Sequence, residues 1–176
     1  MRGICLAILL LLLCVQGHTE ERGAPLGRWS SGGTLIEVMP AGDSLSARII
    51  ALKHPLYRDK DRAGVVGTPR LDHRNPDPAL RGRPLLGLEL LRDFEFRNGF
   101  WQGRLYAPDS GRTFSARLSV RRGELHVRGF MLGMSWLGRS RSLAPIDACD
   151  EDIVEMLEKS GLSDTVCRHR GLRSVM

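Results

Sequence analysis

The sequence predicts an all-β protein: an antiparallel eight-stranded barrel, with a cleaved signal peptide before it and a short disulfide-tethered helix after it. Three observations carry that expectation. About eight β-rich runs are separated by tight turns rather than by helical segments. Alternation is clean in the run Arg112–Arg121, where Phe114, Ala116, Leu118 and Val120 share one face and Thr113, Ser115, Arg117 and Ser119 the other. Asn98-Gly99 is a strong two-residue hairpin turn between two such runs.

At the N-terminus, Arg2 precedes an unbroken apolar run from Ile4 to Val15. That order is the charged and apolar region of a secretory signal, and the run is shorter than the ~20 residues of a spanning helix. Val15 and Gly17 suit the small-residue rule for a cut between Gly17 and His18, giving residues 1–17 as the signal. Acylation of Cys14 is disfavoured, because Leu13 stands where a small residue is expected. No later stretch is apolar and long enough to span a membrane. The mature chain is therefore expected to be exported.

Residues 18–26 read as a flexible lead-in, and 27–146 as the barrel domain. Gly27-Arg28-Trp29-Ser30 opens it, followed by the turn Ser31-Gly32-Gly33. Leu35–Met39 and Leu45–Leu52 flank the turn Ala41-Gly42-Asp43 as a hairpin. Residues 53–84 hold five prolines and alternating charges, and read as a long inserted loop. Loops of that length in compact domains are usually functional or mobile. Leu85–Phe96 forms the next run, with a bend near Asp93, and Phe100–Ala107 follows Asn98-Gly99. Pro108-Asp109-Ser110-Gly111 turns into Arg112–Arg121, Arg122-Gly123 turns into Glu124–Met131, and Trp136–Ile146 completes the set.

The tail, 147–176, differs. Asp150-Glu151-Asp152 places acids at a helix start, Ile153, Met156 and Leu157 have helical spacing, and Gly161 is a stop. Cys149 and Cys167 form an even pair in an exported chain. A bond between them would close a loop of roughly 19 residues and stabilise it by about 3 kcal/mol.

Composition narrows function mainly by exclusion. The chain has formal charge +6, and all of its basic residues other than Lys53, Lys60 and Lys159 are arginines. Arginine suits planar pairing with carboxylate or phosphate. An exported chain without basic tracts interleaved with stacking aromatics is a poor nucleic-acid binder. There is no Gly-x-Ser-x-Gly elbow, and His18, His54, His73, His126 and His169 lack metal-ligand spacing. No catalytic residue, metal or cofactor is indicated.

A series of motifs does resemble a known family. Gly27-Arg28-Trp29 begins it. Asn75-Pro76-Asp77-Pro78-Ala79-Leu80-Arg81-Gly82-Arg83-Pro84-Leu85-Leu86-Gly87-Leu88 and Gly103-Arg104-Leu105-Tyr106-Ala107-Pro108-Asp109-Ser110-Gly111-Arg112-Thr113 continue it. Leu125-His126-Val127-Arg128-Gly129-Phe130 and Trp136-Leu137-Gly138-Arg139-Ser140 close it. In this order they resemble the exported bacterial family called domain of unknown function 2147, over about residues 27–145. The resemblance implies a bacterial envelope protein with a lipocalin-like barrel, and brings no established reaction or ligand. Some members of that family carry a cysteine pair in the loop before Pro84-Leu85-Leu86-Gly87. This chain has none there, which argues against a redox or metal role for that loop.

The leading expectation is a non-enzymatic protein that binds a small apolar ligand in or at the mouth of the barrel. The candidate ligand-binding side chains are Trp29, Glu89, Trp101, Arg104, Tyr106, Arg128, Trp136 and Arg139. Glu89 interrupts an apolar run, and if it faces the interior it needs a partner, for which Arg104 is the candidate. Two alternatives stand beside this one. The first is an interaction module using loop 53–84 and the arginine-rich strands to contact an envelope protein or an anionic polymer. The second is an enzyme built around Glu89 in a cavity with Arg104 and Tyr106.

Overall fold

The computed structural model describes residues 24–130, 138–146 and 150–162. The expected signal, Trp136, Cys149 and Cys167 lie outside those residues. Eight antiparallel strands close into a barrel with every strand bonded to its sequence neighbours and β1 to β8. They are β1 Gly27–Ser30, β2 Thr34–Ala41, β3 Ser44–Leu52, β4 Glu89–Arg97, β5 Phe100–Ala107, β6 Arg112–Arg121, β7 Glu124–Phe130 and β8 Gly138–Pro145. Among the described residues no helix is long and apolar enough to cross a membrane.

Alternation decides which side chains fill the barrel. Ile36, Val38, Leu45, Ala47, Leu91, Phe94, Ala116, Leu118, Leu125 and Leu143 are buried in one cluster with Trp29. Phe94 needs the space that a side chain at position 103 would take. A Cβ on Gly103 would stand 2.5 Å from its ring. Asn98 and Gly99 both have positive φ, 51° and 82°, the conformation that a two-residue turn between twisted strands demands.

One run departs from the expectation. β4 begins at Glu89, and Leu85–Leu88 belongs to the end of the inserted loop, because Gly87 adopts φ +81° and breaks the extended chain. Asp93, at φ 57°, marks the bend inside β4 and accompanies a register shift between Arg92 and Glu95.

Helix α1, Glu151–Lys159, is capped by the Asp150 side chain, which accepts from the Ile153 N–H at 2.9 Å. Its buried face, Ile153, Met156 and Leu157, packs on Leu35 and Ala51. Those two are register partners beside a β-bulge at Leu35/Ile36. Period-two alternation turns Leu35 away from the barrel core, which holds its neighbour Ile36, and α1 covers it.

Candidate functional site

Three places concentrate polar chemistry, and the strand registers fix how each is built. The first is the barrel end where β7 passes to β8. Leu125 pairs with Leu143, Val127 with Arg141 and Gly129 with Arg139. Leu125 and Leu143 are core residues, so period-two alternation puts Arg139 and Arg141 on the face that looks into the barrel. Both are nevertheless exposed. The cause is the shortness of β1, which meets β8 only at Trp29↔Pro145 and Ser30↔Ala144. Past Leu143, among the described residues, β1 no longer borders the inner wall, and Arg141 and Arg139 are exposed. Leu105 and Phe114, register partners on β5 and β6, are half-buried there, and a Cβ on Gly129 would lie 3.6 Å and 3.9 Å from them. Among the described residues neither Arg139 nor Arg141 has a carboxylate partner. The arrangement is a partly apolar mouth with two guanidinium groups that no described carboxylate neutralises.

The second place is the opposite end, where Asp43, Ser44, Glu95, Phe96 and Trp101 line an open recess of about 430 Å³. Phe96 and Trp101 meet at 5.5 Å between ring centroids, tilted by 57°. The Trp101 indole N–H is buried without an acceptor. Glu95 is already paired with Arg97.

The third is inside the inserted loop. Asp72 and Asn75 are buried, at 1% and 4% exposure. The Tyr106 hydroxyl donates to Asp72 Oδ1 at 2.6 Å and accepts from Asn75 Nδ2 at 3.1 Å. Asn75 Nδ2 also donates to Asp72 Oδ2 at 2.7 Å, and Arg83 reaches the same oxygen from Nε at 3.0 Å and from Nη2 at 2.9 Å. The Arg83 guanidinium sits over the Tyr106 ring, 5.7 Å from its centroid. Burial, and then the Asp72 carboxylate, push the Tyr106 hydroxyl up to about 12. A tyrosine in that state is a fixed hydrogen-bond donor at neutral pH. Leu105 packs on the barrel core, so its neighbour Tyr106 meets the loop on the outer wall. The loop is thus anchored by a satisfied buried network. The Asp77 side chain caps the short 3-10 turn Pro78–Leu80, and Arg74 donates to the Asp109 carbonyl.

The candidate residues are scattered among these places. Trp29 is a core side chain whose indole N–H donates to the Pro25 carbonyl at 3.0 Å. Trp101 lines the recess, Tyr106 anchors the loop, and Arg139 stands at the open mouth. Arg128 is exposed on the outer face, opposite Arg117. Glu89 is exposed and does not pair with Arg104. It lies opposite the outward-facing Arg48 because the β3–β4 register shifts between Ala47 and Arg48, and it takes two bonds from Arg92, at 2.9 and 2.7 Å. Arg104 instead approaches Asp93 at 3.7 Å. The cavity containing Glu89, Arg104 and Tyr106 that an enzyme would need is therefore not formed. Asp72, Asn75, Arg83 and Arg141 were not among the candidate ligand-binding side chains. Arg141 had a usable signal, its alternation with Leu143 along β8; Asp72 had none, since its partners come from distant segments. Among the described residues no group of three or more His, Cys, Asp and Glu could hold a metal ion.

Comparison with known proteins adds a family and a fold. A family described as an uncharacterized protein conserved in bacteria (DUF2147) matches residues 27–144. Among solved structures the chain is similar to protein HP1028 from the human pathogen Helicobacter pylori, which belongs to the lipocalin family. The TM-score is 0.53 with 16% identity, over 76% of this chain and 96% of that one. At this identity the likeness is one of fold. No curated protein matches the chain.

Proposed function

The chain belongs to the bacterial DUF2147 family, and from that premise and the barrel's geometry we propose that it binds a small amphipathic anion at the open mouth between β5 and β8. The observation that carries the reading is the pair Arg139 and Arg141. They stand on the inward register of β8, stay exposed, and have no carboxylate partner among the described residues. Charges on the inner wall of a barrel reduce its stability unless something pairs with them. Leu105, Phe114 and Val127 offer an apolar surface beside them, and the deeper interior is filled by the core cluster. An apolar tail at the rim with a carboxylate on the two arginines satisfies both surfaces. The ligand is accordingly shallow, and no reaction is part of the proposal.

The expected export fits this reading. We place the mature protein in the periplasm or outside the cell, after a cut between Gly17 and His18. The support is the sequence of residues 1–17 and the even number of cysteines, Cys149 and Cys167, that such a cut leaves in the chain.

Dodecanoate titrated into the mature protein by isothermal calorimetry is the test. Saturable one-to-one binding is expected, weakened about tenfold or more by the double substitution Arg139→Ala, Arg141→Ala, in line with loss of about 1.4 kcal/mol or more. Dodecanol should bind the wild type no better than the double variant. Equal affinity of dodecanoate for both proteins, or no binding, would overturn the proposal.

A further inference from the structure

We infer that the outer face of β5, β6 and β7 is a docking surface for an anionic polysaccharide. The face is distinct from the mouth, since it is formed by the opposite register of the same strands. Arg117 pairs across the sheet with Arg128 on β7 and with Gln102 on β5, and Arg92 pairs with Arg104. Like charges in direct cross-strand register disfavour the sheet. Arg92 is offset by its bonds to Glu89, so the positive charge of this surface centres on Arg117 and Arg104, which share the outer register of β6 and β5.

Arg117 is the centre of this surface. Its guanidinium carbon is 5.5 Å from the Phe100 ring centroid and 5.5 Å from that of Phe130. The two rings hold the group in place, its Nε is buried without a partner, and no carboxylate among the described residues pairs with it. Cation–π contact fixes an arginine without neutralising it. Arg104 is only loosely countered, its contact with Asp93 being 3.7 Å between two exposed side chains. A preordered cation beside an exposed one is what a chain of regularly spaced carboxylates or phosphates recognises.

The rest of the face selects among polyanions. Gln102, Ser115, Ser119 and Ser140 lie in register between and beside the arginines and offer hydroxyl and amide groups to a hydroxyl-rich partner. A bilayer would need an apolar anchor, and none is present here. The exposed large apolar side chains Leu26, Leu56, Val65, Val66 and Leu80 lie outside the strands, and Phe96 and Val120 occupy inward registers, opposite Trp101 and Leu125. Single-stranded nucleic acid binds through free aromatic faces, and those of Phe100 and Phe130 that flank Arg117 are occupied.

The experiment measures binding of the mature protein to polygalacturonate by biolayer interferometry, with neutral dextran, phosphatidylglycerol vesicles and single-stranded DNA as comparisons. Binding to polygalacturonate is expected, absent for dextran and weakened about tenfold between low and physiological-to-high salt, as screening requires. Arg117→Ser with Arg128→Ser should weaken it about tenfold. Arg104→Gln, a substitution at an exposed side chain that leaves the aromatic stack intact, should weaken it about threefold. Arg62→Gln, in the inserted loop, should change nothing. Absence of polygalacturonate binding, indifference to all three strand substitutions, loss through Arg62→Gln, or stronger binding to vesicles or DNA would each overturn the inference. Failure of dodecanoate binding would leave it standing, because the two surfaces share no residue.

Discussion

Replacing Tyr106 by Phe removes one hydroxyl and tests how the inserted loop is held. That hydroxyl donates to the fully buried side chain of Asp72 at 2.6 Å and accepts from Asn75 at 3.1 Å. A hydrogen bond to a charged group contributes about 1.5–3 kcal/mol, and the abandoned Asp72 Oδ1 has no water to turn to. Arg83 and Asn75 still hold Oδ2, so the loss stays within that range. For a chain of this size it corresponds to a fall in melting temperature of about 4–10 °C. Urea denaturation followed by circular dichroism should show a lower midpoint with an unchanged slope. The alkaline limb supplies a second reading. The folded hydroxyl titrates at about 12 against 10 in the unfolded chain. Its contribution is complete below pH 10 and is lost as pH rises towards 12. The stability gap between wild type and Tyr106→Phe should therefore be constant up to pH 10 and narrow above it. A gap below about 0.5 kcal/mol at neutral pH, typical of a plain surface change, would refute the anchoring role, as would one that widens in alkali.

Three further outcomes follow from the same structure. Gly103→Ala puts a methyl group 2.5 Å from the Phe94 ring and 2.8 Å from the Arg92 carbonyl, and should cost about 1–3 kcal/mol in denaturant unfolding. Gly111→Ala combines φ +65° with a Cβ 1.8 Å from the Arg74 carbonyl oxygen. It should leave the barrel's circular dichroism intact but expose the segment 53–88 to limited proteolysis, with cleavage at least several-fold faster than in the wild type. Intact-mass analysis of protein exported by its native host should give an N-terminus at His18 and, before reduction, a mass two hydrogens short of the dithiol form of Cys149 and Cys167. A retained Ile4–Val15 segment, or lipid on Cys14, would contradict the export proposal.

What the sequence conveyed well was periodic. Phe114, Ala116 and Leu118 alternate with Ser115 and Arg117, and Asn98-Gly99 has the turn chemistry of a two-residue hairpin; such local signals, repeated along the chain, pointed to an antiparallel meander. The helix was equally local, since Asp150, the acids after it and the spacing of Ile153, Met156 and Leu157 all lie within a few turns. Glu89 shows where periodicity fails. A register shift of one residue beside it turns an expected interior carboxylate outward to Arg92. The Asp72 network was hidden for another reason: Tyr106 lies 34 residues from its acceptor, and no spacing rule links them. Arg139 was named without its geometry, and Arg141 was passed over, because reading them as inward-facing needs the register of β8 against β7 and the short reach of β1.

The location of a bound amphipathic anion tests the central proposal most directly. In protein labelled at arginine Nε, at tryptophan and phenylalanine rings and at leucine and valine methyl groups, dodecanoate should shift the resonances of Arg139, Arg141, Leu105 and Val127 together, with one saturation curve. Shifts confined to the Trp101 and Phe96 recess at the other end, or no shift at Arg139 and Arg141 at saturating ligand, would contradict it.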